Sequence, residues 1–146
     1  MQPFSVPHDA YDPVGFYFEW GGEDLFNPLE SLAWVTDLGY APELVKEKIA
    51  QASILVIEAN HCPRMLERDT KRPWSLKQRI LGRHGHLSNG ATLELLKSIE
   101  NPRWQEIFLM HLSKDCNDVN LVRDSFAELS TDTYVVDPST AEAIPA

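Results

Sequence analysis

The segment SLAWVTDLGYAPELVKEKIAQASILVIEA, residues 31–59, decides the fold of this chain. Its first apolar run, SLAWVT at residues 31–36, is typical of a buried strand. The second, SILVIEA at residues 53–59, is almost continuously apolar, as a central strand of a sheet requires. Between them, Pro42 opens a stretch with helical spacing over residues 42–52. Strand, helix and strand at this spacing predict a βαβ crossover between parallel strands.

The flanking sequence extends this crossover into one α/β (α+β) domain with a mixed sheet and its helices on one face. Further strands are predicted at residues 3–6, 15–20, 106–110 and 133–136. Further helices are predicted at residues 63–68, 75–82, 89–99 and 120–129. The tail from Asp137 is expected to be frayed. No internal repeat or second domain is evident in the sequence.

Composition restricts the classes of protein that the chain can belong to. Its 146 residues fit one domain with one core. No stretch of about 18 apolar residues is present, so no membrane span is predicted. The amino-terminal segment lacks the basic and apolar regions of a secretory signal, which favours the cytoplasm. Cys62 and Cys116 fit a reducing compartment, and neither lies in a Cys-x-x-Cys spacing.

Positive charge is concentrated in one segment of an otherwise acidic chain. The net charge of −9 argues against non-specific binding to nucleic acid. Residues 64–83 nevertheless contain seven of the 13 basic residues and only two acidic ones, which leaves +5 here and −14 elsewhere. Such a segment is either a solvated helical face or a strip that faces phosphates.

Three ligand-type residues stand where apolar runs end. His8 follows MQPFSVP, Asp37 follows SLAWVT, and His111 follows QEIFLM. Taken singly, each could be an exposed strand end or, for Asp37, a turn residue. Because ligand sites form outside the carboxyl ends of strands, we predict that the three side chains converge at one edge of the sheet. Imidazoles with a carboxylate suit zinc or manganese, and a carboxylate can bridge two ions.

Glu58 and His86 form a second candidate pair. Glu58 ends the central apolar run, and His86 precedes a predicted helix. A carboxylate that holds one imidazole nitrogen stabilises the imidazolium, which can then protonate a leaving oxygen. Loop bonding by Glu58 and helix capping by His86 are the alternatives. His61 and Cys62 are treated as accessory residues.

Five segments together carry a resemblance to a known family. PHDAYDPVGF, TDLGY, ILVIEANHC, PWSLKQRILGRHGHLSN and LMHLSKDCN occur in the order and spacing of successive motifs in metallo-β-lactamase-fold hydrolases. The resemblance is strongest to the YycJ-type (WalJ-like) exonucleases, and ribonuclease Z is more distant. It covers about residues 2–125.

The resemblance implies a two-metal hydrolase that cleaves phosphodiesters. His8 and His111 match metal-binding histidines, and Asp37 matches the bridging aspartate. Glu58 with His86 resembles the carboxylate–histidine pair that assists cleavage. By the same resemblance, the substrate would be DNA. The basic segment around Arg79 and Arg83 would face its phosphates, which makes these two residues the expected phosphate contacts.

The sequence departs from the family pattern at two points, and the first of them suggests a half-enzyme. The family signature His-x-His-x-Asp-His is absent from the chain. The sequence therefore resembles the carboxy-terminal half of the αββα sandwich over residues 1–129, followed by a last strand and tail over residues 130–146. Such a half would need an amino-terminal half or self-association to cover its sheet. In addition, Cys62 stands where this branch usually has Asp.

Three functions remain open from the sequence. The first is a metal-dependent phosphodiesterase that is complete only in the full fold. The second is another hydrolase of the same fold, acting on thioesters or lactams. The third is a fragment that is inactive or acts only with a partner half.

Overall fold

The structure is a computed structural model that describes residues 1–23 and 26–146. Its strands are β1 (Gln2–Ser5), β2 (Val14–Trp20), β3 (Glu30–Val35), β4 (Ile54–Glu58), β5 (Glu106–Met110), β6 (Asp132–Val136) and β7 (Ala143–Pro145). Its helices are α1 (Glu43–Gln51), α2 (Pro63–Arg68), α3 (Trp74–Leu81), α4 (Asn89–Ser98) and α5 (Val119–Phe126). Within the described ranges, no helix has the length and apolarity that a membrane crossing needs.

The strands form one mixed sheet in which spatial order follows chain order. The seven-stranded sheet runs from β1 to β7 without a change of order. Strands β3, β4, β5 and β6 are parallel neighbours, whereas β1, β2 and β7 join antiparallel at the two edges. The predicted crossover is present, with α1 connecting β3 to β4. The predicted α/β class and the mixed sheet are therefore confirmed.

One face of the sheet carries the core. Inward side chains of the central strands, such as Leu55 and Ile107, pack with Ile49 of α1, Leu96 of α4 and Phe126 of α5. All five of these side chains are buried. Helices thus cover one face, as the sequence predicted.

The opposite face is apolar and has no helix layer in the described structure. Register aligns one residue from each of five strands across this face: Phe16, Trp34, Val56, Phe108 and Tyr134. None of them belongs to the buried core cluster, and Trp34 is 40% exposed. A sheet with helices on one side and an apolar second side matches half of a metallo-β-lactamase-like sandwich.

The carboxy-terminal tail differs from the expectation of fraying. Ala143–Pro145 forms β7, which pairs antiparallel with β6. The Asp137 side chain stabilises the connecting turn by accepting hydrogen bonds from the Ser139 N–H and hydroxyl at 2.7 and 2.6 Å. The tail composition obscured this strand, because a three-residue strand shows too little alternation to be recognised.

Gly39 is required for the close approach of two backbone segments. A Cβ atom at this position would lie 2.3 Å from the carbonyl oxygen of Arg83. A backbone atom at that distance cannot rotate away, so a side chain here must push residues 82–83 outward.

We expect Gly39→Ala to destabilise the protein by about 1–3 kcal/mol, as overpacking does, and to displace the segment that leads to His86. Gly90→Ala is the matched control, because a Cβ at Gly90 meets nothing within 4 Å. Urea unfolding of both variants tests this. Equal stability of the two variants would contradict the close approach.

Candidate metal centre

Glu58 is the buried carboxylate around which the site is built. Its Oε1 accepts the N–H groups of Leu38 at 3.0 Å and Leu87 at 2.9 Å. Its Oε2 accepts Nδ1–H of His86 at 3.1 Å and of His111 at 3.0 Å. Desolvation raises the pKa of this carboxyl, but the imidazole and backbone hydrogen bonds outweigh it and lower the pKa from 4.5 to about 2. Glu58 is therefore an anion that orients two imidazoles.

Asp37 has three imidazoles around one of its oxygens. Its Oδ1 lies 3.7 Å from His8 Nε2, 3.8 Å from His86 Nδ1 and 3.8 Å from His111 Nε2. Two atoms that ligate one ion at about 2 Å lie roughly 3–4 Å apart. The donor set of imidazoles and carboxylate and its spacing thus fit a divalent ion. The predicted convergence of His8, Asp37 and His111 at the carboxyl edge of the sheet is present.

The imidazoles at this edge are held in two different orientations. His8 donates Nδ1–H to the Gly85 carbonyl at 3.0 Å, and His111 donates Nδ1–H to Glu58. Both therefore direct Nε2 at Asp37, as ligating histidines do when a neighbouring acceptor fixes the other nitrogen. His86 instead directs Nδ1 at both carboxylates, and its Nε2 has no protein partner among the described residues. Sequence reasoning predicted the Glu58–His86 bond but missed the Glu58–His111 bond and the Gly85 contact.

Backbone conformation places Asp37 and His111 at the site. Both residues have positive φ, 59° in each case. Asp and His are among the few side chains that adopt this left-handed region. Each follows the end of a parallel strand, so the turn directs the side chain to the sheet edge.

Imidazole charge at the centre depends on the carboxylates. The hydrogen bond to Glu58 raises the pKa of His111, burial lowers it, and the nearby Asp37 charge raises it further. The net effect is a raised pKa, so the negative charge of the site favours a cation at this position. A divalent ion bound at this position would also supply positive charge.

A cleft of about 470 Å³ opens over the site. One wall is formed by Leu66, Arg72 and Ile80 around α2 and α3, and the other by residues 111–116 after β5. Asp37, His61, His86 and His111 line the same cleft. Its size is that of a small-ligand pocket. The cleft could not be predicted from the sequence, because no local pattern relates residues 66–80 to residues 111–116.

The two arginines expected to face phosphates are engaged elsewhere in the structure. Arg79 donates Nε–H to Asp9 at 3.1 Å, beside His8. The Arg83 guanidinium lies 4.4 Å from the centre of the Tyr40 ring. Arg79 lies against a pocket of about 140 Å³ next to the site. The predicted phosphate contact remains a prediction for both residues.

The accessory residues lie beside the cleft. His61 is 1% exposed, and neither ring nitrogen has a hydrogen-bond partner in the part of the chain that the structure describes. Cys62 is half-buried and donates its N–H to the Cys116 carbonyl at 2.8 Å. Neither residue belongs to the two groups of candidate ligands found among described residues, His8–Asp37–His86 and Glu58–His86–His111.

We expect His61 to make the protein acid-sensitive. Burial, and after it the nearby His86 charge, lower the pKa of His61 from 6.5 to about 4, although the Glu58 charge raises it. The unfolded chain binds this proton at higher pH than the folded chain does. The free energy of unfolding therefore has its full value above about pH 6.5 and falls by about 2–3 kcal/mol as the pH decreases to 4. Urea unfolding from pH 7 to 4 measures the loss. His61→Gln should reduce this decrease in the free energy of unfolding, whereas His84→Gln, at an exposed position, should not. If the wild-type protein and both variants lose stability in parallel, His61 is excluded as the cause.

Fold and site together define an α/β protein with half of a metallo-β-lactamase-like sandwich and a carboxylate–imidazole centre at the strand ends. No family model matches the chain. The chain is 34% identical over 129 residues to Exodeoxyribonuclease YycJ of Bacillus anthracis, which covers 88% of this chain and 46% of the relative. It is 35% identical over 117 residues to Exodeoxyribonuclease WalJ of two Streptococcus pneumoniae strains, covering 80% of this chain and 40% of the relatives.

The chain is therefore homologous to part of the YycJ and WalJ exodeoxyribonucleases, and the resemblance seen in the sequence is confirmed. It spans less than half the length of the curated relatives that it matches.

Proposed function

We propose that the chain forms part of a metal-dependent phosphodiesterase that acts on DNA. The observation that carries this proposal is the placement of the His86 side chain. Glu58 anchors it, its Nε2 is free of protein partners in the described structure, and it stands beside the Asp37 centre. The names of the homologous exodeoxyribonucleases support DNA as the substrate.

In this proposal, two divalent ions, zinc or manganese, share Asp37. His8 with Asp37 would hold one ion, and His111 with Asp37 the other. Bound ions of this kind acidify a water molecule and neutralise phosphoryl oxygens. Each ion would have two ligands from this chain, fewer than the three or four that zinc sites use. The remaining ligands would come from a segment with the His-x-His-x-Asp-His signature.

His86 would donate the proton that the leaving oxygen needs. The Glu58 carboxylate accepts Nδ1–H, which fixes the orientation of the ring. A protonated imidazole then carries a hydrogen on Nε2, the nitrogen directed away from both carboxylates. Glu58 would act by positioning His86 and His111, because its four hydrogen bonds leave it no accessible surface.

Substrate phosphates would bind along the basic segment. Arg79 is the first candidate, because it lies beside His8 and its Asp9 pair is exposed and exchangeable. Arg83 is the second candidate, and its guanidinium lies over the Tyr40 ring.

The apolar sheet face would receive a second sheet. Residues 1–129 would then be the carboxy-terminal half of a metallo-β-lactamase-fold domain, and residues 130–146 would complete its edge. An amino-terminal half would cover the face, or two copies would associate through it. A row of apolar side chains outside the core cluster, in which Trp34 is 40% exposed, is typical of an interface.

A hydrolase of thioesters or lactams on the same fold is the alternative enzyme. The anchored His86 argues against a thioester substrate, since a thiolate leaves without a proton whereas the alkoxide of a phosphodiester requires one. The basic segment at residues 64–83 weighs against both thioesters and lactams, because it suits a substrate that carries phosphates. A chain that only binds a partner half is the non-enzymatic alternative. It would need none of the hydrogen bonds that orient the three imidazoles.

We expect His86→Ala to lower turnover of single-stranded DNA by about 10²–10⁴-fold, the usual contribution of a general acid, in the enzyme assembled with an amino-terminal half. Metal content should change little, because His8, Asp37 and His111 remain. Elemental analysis and steady-state kinetics on the same preparation separate the two effects. His84→Ala is the matched control. Parallel loss of metal and turnover would make His86 a ligand and overturn its role as proton donor.

A further inference from the structure

Cys62 and Cys116 are far apart in the sequence but neighbours in the fold. The Cys62 N–H donates to the Cys116 carbonyl at 2.8 Å. Residues joined by a backbone hydrogen bond between neighbouring segments have Cα atoms roughly 5 Å apart, within the range that a disulfide spans. The chain has no third cysteine, so each thiol has only the other as a partner within the molecule.

Further hydrogen bonds hold the two backbone segments of this pair together. The Ser113 N–H donates to the Asn60 carbonyl at 2.8 Å. The buried Asn117 side chain donates to the carbonyls of Ala59 and Asn60 at 2.8 and 3.1 Å. These contacts lie on both sides of the second cysteine in the sequence. The close approach of the two cysteines is therefore fixed by the fold and does not depend on their own hydrogen bond alone.

The two thiols differ in exposure and in their surroundings. Cys62 is half-buried and directly precedes α2, whereas Cys116 is 1% exposed and lines the cleft over the candidate metal centre. A small oxidant in solution therefore meets Cys62 first. Arg72 donates Nη1–H to the Cys116 sulfur at 3.5 Å. A guanidinium in this place can balance the negative charge that the sulfur carries when it acts as a nucleophile.

We propose that Cys62 and Cys116 form a modification site at which hydrogen peroxide converts the two thiols into an internal disulfide. In the first step, the Cys62 sulfur attacks one peroxide oxygen and the O–O bond breaks, which gives a Cys62 sulfenic acid and one water. In the second step, the Cys116 sulfur attacks the sulfenic sulfur, the S–S bond forms, and the hydroxyl group leaves as a second water. Peroxide gains the two electrons that the sulfurs lose, and the two thiol protons end in the two waters.

The disulfide links the two walls of the cleft. Cys62 precedes the α2 wall, and Cys116 ends the segment 111–116 that forms the other wall. Oxidation therefore fixes the position of one wall relative to the other, and reduction releases it. In a reducing compartment the site stays in the dithiol form until peroxide is present, as in other intracellular proteins with transient disulfides.

The test is oxidation of the 146-residue protein by a small excess of hydrogen peroxide, with a chelator present to suppress oxidation by stray metal ions. We expect the number of reactive thiols in each chain, counted after denaturation, to fall from two to none. The mass of the intact chain should fall by two hydrogen atoms. Proteolysis should then give a linked pair of peptides that contain Cys62 and Cys116, and dithiothreitol should restore both thiols.

Two matched variants test the order of the steps. Cys116→Ser should stop after the first step, so dimedone, which reacts with sulfenic acids, should label Cys62. Cys62→Ser should keep its buried thiol for the time in which the wild-type protein loses both. If a serine variant does not fold, the alanine variant at the same position replaces it, and the mass of the oxidised wild-type chain needs no variant.

Three results with the folded wild-type protein would overturn the inference: disulfides between two chains, a Cys62 sulfinic acid beside a reduced Cys116, or survival of both thiols. Dimedone labelling of Cys116 in Cys62→Ser would overturn it as well. None of these results bears on the proposed phosphodiesterase, because both cysteines lie outside the two groups of candidate ligands found among the described residues.

Discussion

Replacing Glu58 with alanine should destabilise the protein more than any other single substitution at the site. The change leaves the N–H groups of Leu38 and Leu87 buried without acceptors, and it releases His86 and His111. Breaking a buried charged network in this way costs about 3–5 kcal/mol. Urea unfolding of the metal-free protein measures the loss. Glu128→Ala is the matched control, because it removes a glutamate from an exposed ion pair with Lys97. The expectation fails if both variants unfold at the same urea concentration.

Glu58→Gln separates the structural role from the role in metal binding. Glutamine keeps the shape and can still accept the two backbone hydrogen bonds, so most stability should remain. Its amide cannot accept Nδ1–H from both His86 and His111, so at least one imidazole has to change its tautomer or lose the contact. If His111 changes, its Nε2 carries the proton and cannot ligate. In the enzyme assembled with an amino-terminal half, the Glu58→Gln variant should then bind zinc about 10–100-fold more weakly than the wild-type protein in a zinc titration. Equal zinc affinity of the two proteins would exclude Glu58 as the orienting group.

Covering the apolar sheet face should have the largest effect on activity. The chain alone should bind zinc or manganese weakly and hydrolyse no DNA detectably, because each ion would have two protein ligands. Adding the amino-terminal half of a homologous exodeoxyribonuclease should give tight metal binding together with hydrolysis of single-stranded DNA. Calorimetric titration and a gel assay on the chain, the added half and their mixture measure both changes.

Trp34→Glu provides the control for this experiment. The charge would stand in the middle of the apolar face, which should block association while leaving the helix-covered core intact. Sedimentation should then find a monomer that the added half does not activate. Tight metal binding and robust turnover by the wild-type monomer would refute the half-enzyme proposal and require ligands outside those named.

The sequence predicted the parallel core and the convergence of the candidate ligands because both follow from short-range patterns. An apolar run that ends at Asp37, Glu58 or His111 identifies a strand and the residue at its carboxyl end, and neighbouring parallel strands bring those ends together. It could not predict that one oxygen of Glu58 serves both imidazoles. That contact depends on the rotamers of residues separated by 28 and 53 positions. The β7 strand was missed for a related reason, since it depends on its pairing with β6.

The agreement between strand order and chain order has a kinetic consequence. Each strand from β2 to β7 pairs with the strand that precedes it in the sequence, so every new strand meets an edge that has already formed. The antiparallel pairing of β1 with β2 has low sequence separation and can close early, whereas β5 joins β4 only after a long connection has been made. A chain emerging from the ribosome can still build this sheet strand by strand. The apolar sheet face is assembled in the same order, and in the proposed half-enzyme it stays exposed until a separate amino-terminal half or a second copy covers it. The time between completion of the sheet and burial of that face therefore sets the interval in which the chain is prone to aggregate.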